Sequence, residues 1–89
     1  MRRAWIPLLS TFLLVSGVAN AGQDVTFASL PQAVRATVER ETKGGTITEI
    51  ELETKHGQAS YYEVEFLLSD VKHELHVSLD GRLLLRKLD

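Results

Sequence analysis

The 89-residue chain contains no cysteine and only one long apolar run. Without cysteine it forms no disulfide, offers no thiolate to a metal ion and has no attachment point for a lipoprotein anchor. The apolar run extends from Trp5 to Val18, a length of 14 residues, and Pro7 and Gly17 interrupt it. A membrane-spanning helix needs about 20 apolar residues, so this run is too short for one.

The amino terminus has the three parts of a Sec-type signal peptide. Arg2 and Arg3 supply positive charge, the apolar run follows, and Ala19 and Ala21 are small residues placed for cleavage. We therefore predict that residues 1–21 are a cleaved signal peptide and that the protein is periplasmic or secreted. An uncleaved membrane anchor and twin-arginine export are the alternatives for this segment.

Cleavage would leave a small acidic domain. Loss of the two arginines of the signal peptide leaves eight basic and twelve acidic residues, a net charge of −4. Nucleic acid and anionic membrane surfaces are therefore poor partners. The remaining 68 residues would hide only about 60% of the surface of their unfolded chain. Little room is left for a buried pocket, and this favours a binding module over an enzyme.

The first element predicted after the signal peptide is a helix. Ser29 can cap it and Pro31 suits its first turn, whose N–H groups lack intrahelical partners. Apolar residues then recur at spacings of three and four, and Gly44 and Gly45 can adopt the left-handed conformation that ends a helix. The sequence predicts a helix over Pro31–Lys43.

The rest of the chain alternates in hydrophobicity with the period of β-strands. Two alternating segments, Thr46–Thr54 and Ser60–Leu68, precede a predicted turn over Ser69–Lys72. Asp80-Gly81 predicts a hairpin between a third strand and a fourth, Arg82–Leu88. The residues expected to face the helix are Thr48, Ile50, Leu52, Tyr62, Val64, Phe66, Leu68, His73, Leu75, Val77 and Leu79.

Two registers can close the last hairpin. A two-residue loop pairs Leu75 with Arg86, whereas a three-residue loop pairs Val77 with Leu83 and Leu75 with Leu85. We predict the second register because it keeps one face of the sheet apolar.

These patterns together predict an α+β fold, in which one amino-terminal helix packs on a four-stranded antiparallel β-meander. The domain is expected to span residues 29–89. Residues 22–28 show no sustained period and are predicted to be a flexible lead-in.

The histidines and serines do not form a recognisable reactive site. His73 and His76 are three residues apart in a predicted strand, so their side chains point to opposite faces and cannot bind one ion. No serine lies in a nucleophile motif such as Gly-x-Ser-x-Gly. We therefore predict no catalytic residue, no metal ligand and no cofactor, and a small hydrolase is the least favoured interpretation.

The sheet face turned away from the helix is expected to be strongly charged, with a change of sign across the sheet. Lys72, His76, Arg82 and Arg86 are predicted on its later strands. Like charges that face each other across strands are mildly destabilising. The acidic residues, all on the first two predicted strands, are Glu49, Glu51, Glu53, Glu63 and Glu65.

Two interpretations of this charged face remain open. One is a solvated face with its own cross-strand ion pairs. The other is a docking surface for a charged protein partner, with apolar anchors amid the charge, since interfaces concentrate their energy in such residues. The partner-binding residues under this hypothesis are Tyr61, Glu63, Glu65, Leu67 and Leu84.

The domain contains four short motifs that belong together. They are Leu30-Pro31-x-x-Val34 at the helix start, the glycine turn after the helix, Tyr62-x-Val64, and Asp80-Gly81. Taken together, these motifs resemble the PepSY family. The resemblance covers nearly all of Ser29–Asp89 and departs from the family pattern in the turns at His56-Gly57 and Ser69–Lys72.

The PepSY resemblance implies a non-catalytic domain, found in propeptides of thermolysin-like metallopeptidases and as small exported bacterial proteins, with proposed roles in restraining peptidases. It carries over no catalytic residues. We therefore expect an exported binding or regulatory module that holds a peptidase or an envelope sensor protein. The alternative is a protein that responds to divalent cations, which the acidic strands would bind weakly because a flat face lacks the enclosing loop of strong sites.

Overall fold

The computed structural model describes residues 22–89, and the predicted signal peptide, residues 1–21, lies outside the described residues. An antiparallel sheet in the order β1-β2-β3-β4-β5 packs one face against a helix, which confirms the predicted α+β class. No helix in residues 22–89 is long and apolar enough to cross a membrane. The elements are β1 (Gln23–Asp24), a 3-10 turn (Phe27–Ser29), α1 (Gln32–Glu41), β2 (Thr46–Glu53), β3 (Tyr61–Leu68), β4 (Val71–Ser78) and β5 (Leu83–Leu88).

The sheet has five strands within residues 22–89, so the prediction of four strands is wrong. The extra strand, β1, lies in the segment expected to be a lead-in. Its residues Gln23 and Asp24 pair with Leu52 and Glu51 at the edge of β2. A strand of two residues is too short to show an alternating pattern, and this is why periodicity did not reveal it.

The helix is slightly shorter than predicted, and its amino terminus is built differently. Pro31 occupies the N-cap position and makes no side-chain cap. The predicted cap residue, Ser29, lies in the 3-10 turn, where its hydroxyl donates to the carbonyl oxygen of Thr26 at 2.8 Å. The helix ends at Glu41, and the hydroxyl of Thr42 donates to the Val38 carbonyl at 2.8 Å.

The core lies between α1 and the sheet face that this helix covers, which we call the inner face. Burial of a Val, Leu, Ile or Phe side chain stabilises a fold by about 1.5–3 kcal/mol, so a set of this size is the main source of stability. The buried apolar residues are Leu30, Val34, Val38, Ile50, Val64, Phe66, Leu75 and Val77.

The loop between β4 and β5 is fixed to the helix. The hydroxyl of Thr37, which is 4% exposed, donates to the carbonyl oxygen of Gly81. Gly81 has a φ of +94°, and a Cβ atom at this position would lie 2.8 Å from the carbonyl oxygen of Ala33. Only glycine therefore fits this close approach of the hairpin to α1.

A bulge in β2 changes which residues face the helix. The register shifts between Ile47 and Glu49. Ile47 pairs with Phe66 and packs against the core, so the prediction of Thr48 on the inner face is wrong. Thr48 is exposed, and its hydroxyl donates to the Glu65 carbonyl at 3.2 Å.

A second bulge corrects the predicted register of β5. Val77 pairs with Leu83, as expected for a three-residue loop, but Leu75 pairs with Arg86 and not with Leu85. The register shifts between His76 and Val77, because Leu84 is the additional residue on β5. One inserted residue turns every later side chain of the strand to the other face.

Arg86 consequently lies on the inner face, and its predicted place on the opposite face is wrong. One of its guanidinium nitrogens donates to the carbonyl oxygen of Glu41 at 2.7 Å, and lies 3.1 Å from the Glu41 carboxylate. The guanidinium also lies 5.4 Å from the ring centroid of Phe66. Arg86 thus covers the core edge and binds the carboxyl end of α1, where a cation is favoured.

The turn between β3 and β4 is tighter than predicted. It consists of Ser69 and Asp70, which have φ values of 52° and 64°, and Leu68 pairs directly with Val71. The predicted turn over Ser69–Lys72 therefore loses its last two residues to β4. Positive φ at both positions is the geometry that lets a two-residue turn match the twist of its strands.

Substitution of Val64 tests whether the core lies on the inner face of the sheet. It is fully buried and lies between Ile50 and Leu75 in the register. Val64→Asp would bury a carboxylate without a partner, at a cost of several kcal/mol in a domain with about 5 kcal/mol of stability. We expect this variant to be unfolded in circular dichroism, whereas Val71→Asp, at a position that is 45% exposed, should melt cooperatively. A cooperative melt of Val64→Asp close to wild type would contradict the assignment of faces.

Candidate functional site

The sheet face opposite α1, which we call the outer face, carries its side chains in rows that cross the strands. The middle row runs from Asp24 through Glu51, Glu63 and His76 to Leu85. Since residues directly opposite each other in a sheet have Cβ atoms about 5 Å apart, each row is a line of neighbours. The rows on either side contain Glu49, Glu65, Glu74 and Lys87, and Glu53, Tyr61 and Ser78.

Four of the five predicted docking residues lie on one strand. Tyr61, Glu63, Glu65 and Leu67 occupy alternating positions of β3 and so share the outer face. Leu67 is 38% exposed. Leu84, the fifth residue, is 50% exposed and lies two strands away in the β5 bulge. The structure therefore brings together an apolar anchor at each end of β3 with two carboxylates between them.

Tyr61 is held in place by a histidine of the neighbouring strand. Its ring stacks on that of His76 with the centroids 4.6 Å apart and an angle of 30° between the planes. Stacking of two rings adds about 0.5–1.5 kcal/mol to the effect of area burial. The Tyr61 side chain is thus ordered in the protein by itself, and a side chain that is already ordered loses less entropy when it enters an interface.

His73 and His76 lie on opposite faces, as the alternation of strand side chains predicts. His73 is on the inner face, where its ring stacks on Phe66 with the centroids 5.1 Å apart. His76 is on the outer face beside Tyr61. The two histidines cannot contact one ion in this arrangement.

Glu74 is the residue of the outer face that sequence analysis did not single out. Only 7% of its surface is exposed, because it lies on the central part of β4 between Glu65 and Lys87. The signal was present in the sequence, since Glu74 lies two residues before His76 in the same predicted strand and therefore on the same face. Because Glu74 adds a carboxylate to β4, the middle of the outer face is more acidic than the sequence analysis predicted.

The carboxyl group of Glu74 stays ionised through its contact with His76. Nε2 of His76 lies 2.6 Å from Oε2 of Glu74. Burial works to raise the pKa of Glu74, but the hydrogen bond with His76 and a second one with Glu63 outweigh it. The positive charge of Lys87 acts in the same direction, and the pKa of Glu74 lies below its usual value.

Glu63 has the opposite electrostatic situation. It lies between Glu51 and His76 in the middle row, and ligand atoms of Glu63, Glu74 and His76 all lie within 4.8 Å of one another. Burial, followed by the hydrogen bond and the negative charge of Glu74, raises the pKa of Glu63 to about 7. Glu63 is therefore the carboxyl group of this face that most readily keeps a proton.

The acidic edge of the outer face lies on β1 and β2. Asp24 is directly opposite Glu51, and carboxylate atoms of Asp24, Glu49 and Glu51 lie within 4.8 Å of one another. The hydrogen bond with Glu51 and its negative charge raise the pKa of Glu49. These groups lie on an open strand face without an enclosing loop, so the geometry favours only weak binding of a cation.

The basic residues of the outer face differ from those predicted, because the bulge in β5 places Lys87 on this face and Arg86 on the inner face. Nζ of Lys72 lies 3.3 Å from Glu65 and 3.6 Å from Asp89, and these contacts, chiefly the one with Glu65, raise the pKa of Lys72. Arg82 forms its ion pair with Asp80 in the hairpin turn, at 3.4 Å. The charge of the outer face therefore changes from negative on β2 and β3 to positive on β5, where Lys87 lies opposite Glu74.

Comparison with family models, with curated proteins and with solved structures finds no match to this chain. The resemblance to the PepSY family thus rests on the sequence motifs. Of the motif residues, Leu30, Val34 and Val64 are buried in the core, and Tyr62 is partly buried against it.

The stack on His76 predicts unequal costs for truncation of the two apolar anchors. Tyr61→Ala should lower the free energy of unfolding by about 1 kcal/mol, since it removes the stacked ring. Leu67→Ala removes an exposed side chain and should change stability by less than about 0.5 kcal/mol. Urea unfolding of both variants measures the difference, and Tyr61→Phe, which keeps the ring, is the matched control. Equal stability of Tyr61→Ala and wild type would show that the stack does not hold the tyrosine.

Proposed function

We propose that the protein is an exported, non-catalytic binding or regulatory module of the PepSY type, which holds a protein partner on its outer face. The observation that carries the proposal is the pair of anchors on β3. Tyr61 is ordered by its stack on His76, and Leu67 is exposed at the other end of the strand. A peptidase or the sensor domain of an envelope protein is the partner class that the family resemblance supports.

The dimensions of the outer face suit an interface of ordinary size. Tyr61 and Leu67 are six positions apart on one strand, which corresponds to about 20 Å. A standard interface buries about 800 Å² on each partner and concentrates its energy in a few central residues, often aromatic. The surrounding charged side chains would then act as the polar rim that excludes water from the anchors.

The charge of the outer face indicates the chemistry of the partner. Glu63 and Glu65 separate the two anchors, and Glu49, Glu51 and Glu53 lie on the neighbouring strand. An acidic face of this kind speeds encounter with a basic surface at low salt and disfavours acidic partners. The partner is therefore expected to present Lys or Arg residues around a small apolar patch.

Capture of the partner by outer-face variants tests the proposal. The immobilised domain, residues 22–89, is incubated with envelope extract, and the wild-type protein is compared with Leu67→Ala, Tyr61→Ala and the Glu63→Lys/Glu65→Lys pair. Truncation of an anchor should weaken capture by about 30-fold, equivalent to about 2 kcal/mol. The charge reversal should slow association most strongly at low salt.

The matched control is Glu39→Lys, a charge reversal at an exposed position of α1 on the other side of the molecule. Each variant is first shown to be folded by circular dichroism, so that loss of capture reports on the surface. Unchanged capture by all the outer-face variants would place the docking surface elsewhere. Inhibition of a purified thermolysin-like metallopeptidase by residues 22–89 would distinguish a peptidase partner from a sensor domain.

A further inference from the structure

The carboxyl groups of Glu63 and Glu74 lie close together in the middle of the outer face, without a lysine or arginine to balance their charge. Within residues 22–89, neither Glu63 nor Glu74 forms an ion pair with a lysine or an arginine, and the nearest basic group to Glu74 is the His76 ring. Lys72, the closest lysine on the same strand, is engaged by Glu65 and Asp89. The repulsion between the carboxyl groups is therefore relieved by something other than a fixed positive side chain.

We propose that Glu63, Glu74 and His76 form a proton switch in the docking surface: the cluster holds a proton on Glu63 and, when it releases this proton to solvent, adds a negative charge beside Tyr61 and weakens the pairing of β3 with β4. The switch is a property of the domain by itself. Its effect on a partner rests on the proposed function.

The geometry assigns the proton to Glu63 and not to Glu74. The Glu74 carboxylate has the 2.6 Å contact with His76 Nε2 and faces Lys87 across β4 and β5. Glu63 has acidic neighbours on both flanking strands, Glu51 on β2 and Glu74 on β4. The ionised form of Glu63 is therefore less favoured by its surroundings than the ionised form of Glu74.

Of the other groups around Glu63, the acidic ones act in the same direction. On β2, Glu53 adds negative charge. On β3, the neighbouring ionisable residues are Tyr61, which is stacked on His76, and Glu65, which is already paired with Lys72. β1 contributes Asp24 at the far end of the middle row, and the nearest cation of β5 is Lys87, opposite Glu74. Together these neighbours favour the neutral form of Glu63.

The sign of the pH effect follows from the direction of the pKa shift. Because the pKa of Glu63 is raised to about 7 in the folded protein, its stabilising contribution is fully present below its pKa in the unfolded chain and is lost as the pH rises through about 7. The domain should therefore become less stable between weakly acidic and weakly alkaline solution. In the same interval its outer face gains one negative charge and should attract a basic partner more strongly.

Carbon-13 NMR of the glutamate carboxyl groups measures the proton directly in the isolated domain, residues 22–89. We expect one carboxyl resonance to titrate with an apparent pKa near 7, and the Glu63→Gln variant to lack it. The resonance of Glu74 should respond in the same step, because the two groups are coupled. The control variant, Glu39→Gln, removes a carboxyl group from α1 and should leave the step in place. A Glu63 resonance that titrates near the ordinary value of about 4.3 overturns the proposal.

Urea unfolding provides a second readout. The wild-type midpoint should fall between about pH 5 and about pH 8, and the fall should be smaller in Glu63→Gln, because a carboxamide does not ionise. An equal fall in both proteins would overturn the switch.

The titration is repeated with calcium chloride and with zinc chloride at millimolar concentration. Loss of the step near pH 7 in either salt would show that a metal ion occupies the cluster and would overturn the proton switch. Partner capture keeps the two proposals distinguishable. If the step is present but the Tyr61 and Leu67 variants capture the partner as wild type does, the docking surface is wrong and the switch stands. If the Tyr61 and Leu67 variants lose capture but no step is seen, the docking surface stands and the proton switch is wrong.

Discussion

The structure depends on the packing of one ten-residue helix against one face of a five-stranded sheet. A helix of this length is marginal in isolation, and the sheet cannot bury its apolar face without it. Val34 and Val38 of α1 pack with Val64 and Leu75 of the sheet, and all four are fully buried. Every apolar side chain that the sheet can bury is therefore committed to the inner face. The outer face keeps mostly charged and polar side chains, with a few apolar ones such as Tyr61 and Leu67.

The charge of the outer face follows from this one-sided packing. Alternation forces every second residue of β2, β3 and β4 away from the helix, and half of these residues are glutamates, which keep an uncovered face soluble. The same glutamates repel one another, and this repulsion is greatest between Glu63 and Glu74, which lie on the central strands β3 and β4. The imidazole of His76 partly offsets this repulsion and also positions Tyr61. One histidine thus links the electrostatics of the face to its apolar anchor.

Much of this arrangement could be predicted from the sequence, because burial of one face imposes a period of two on strands and of 3.6 on the helix. Those periods located α1 and the four long strands, and they placed Tyr61, Glu63, Glu65 and Leu67 on one face. The bulges at Thr48 and Leu84 could not be predicted in this way. A bulge inserts one residue by a local change of backbone, and nothing in composition marks it.

The failure at Leu84 placed Arg86 on the wrong face, and in the structure Lys87 is the basic residue of β5 on the outer face. Glu74 illustrates a different limit, since its face was predictable but its burial was not. Burial of a strand residue depends on which side chains flank it on the neighbouring strands, and therefore on a register that the sequence did not determine.

The order of the strands also constrains how the molecule assembles. In the meander β1-β2-β3-β4-β5 each strand pairs only with its neighbours in sequence, so the sheet has low contact order and its hairpins can form without closing a long loop. The helix is the exception. Although it precedes β2 in the chain, it is fastened by the bond from Thr37 to the carbonyl of Gly81, 44 residues later. The buried sheet partners of α1 all lie on β2, β3 and β4, so the helix can cover the apolar face before β5 is in place, and the last hairpin then adds the hydrogen bond that fixes its position.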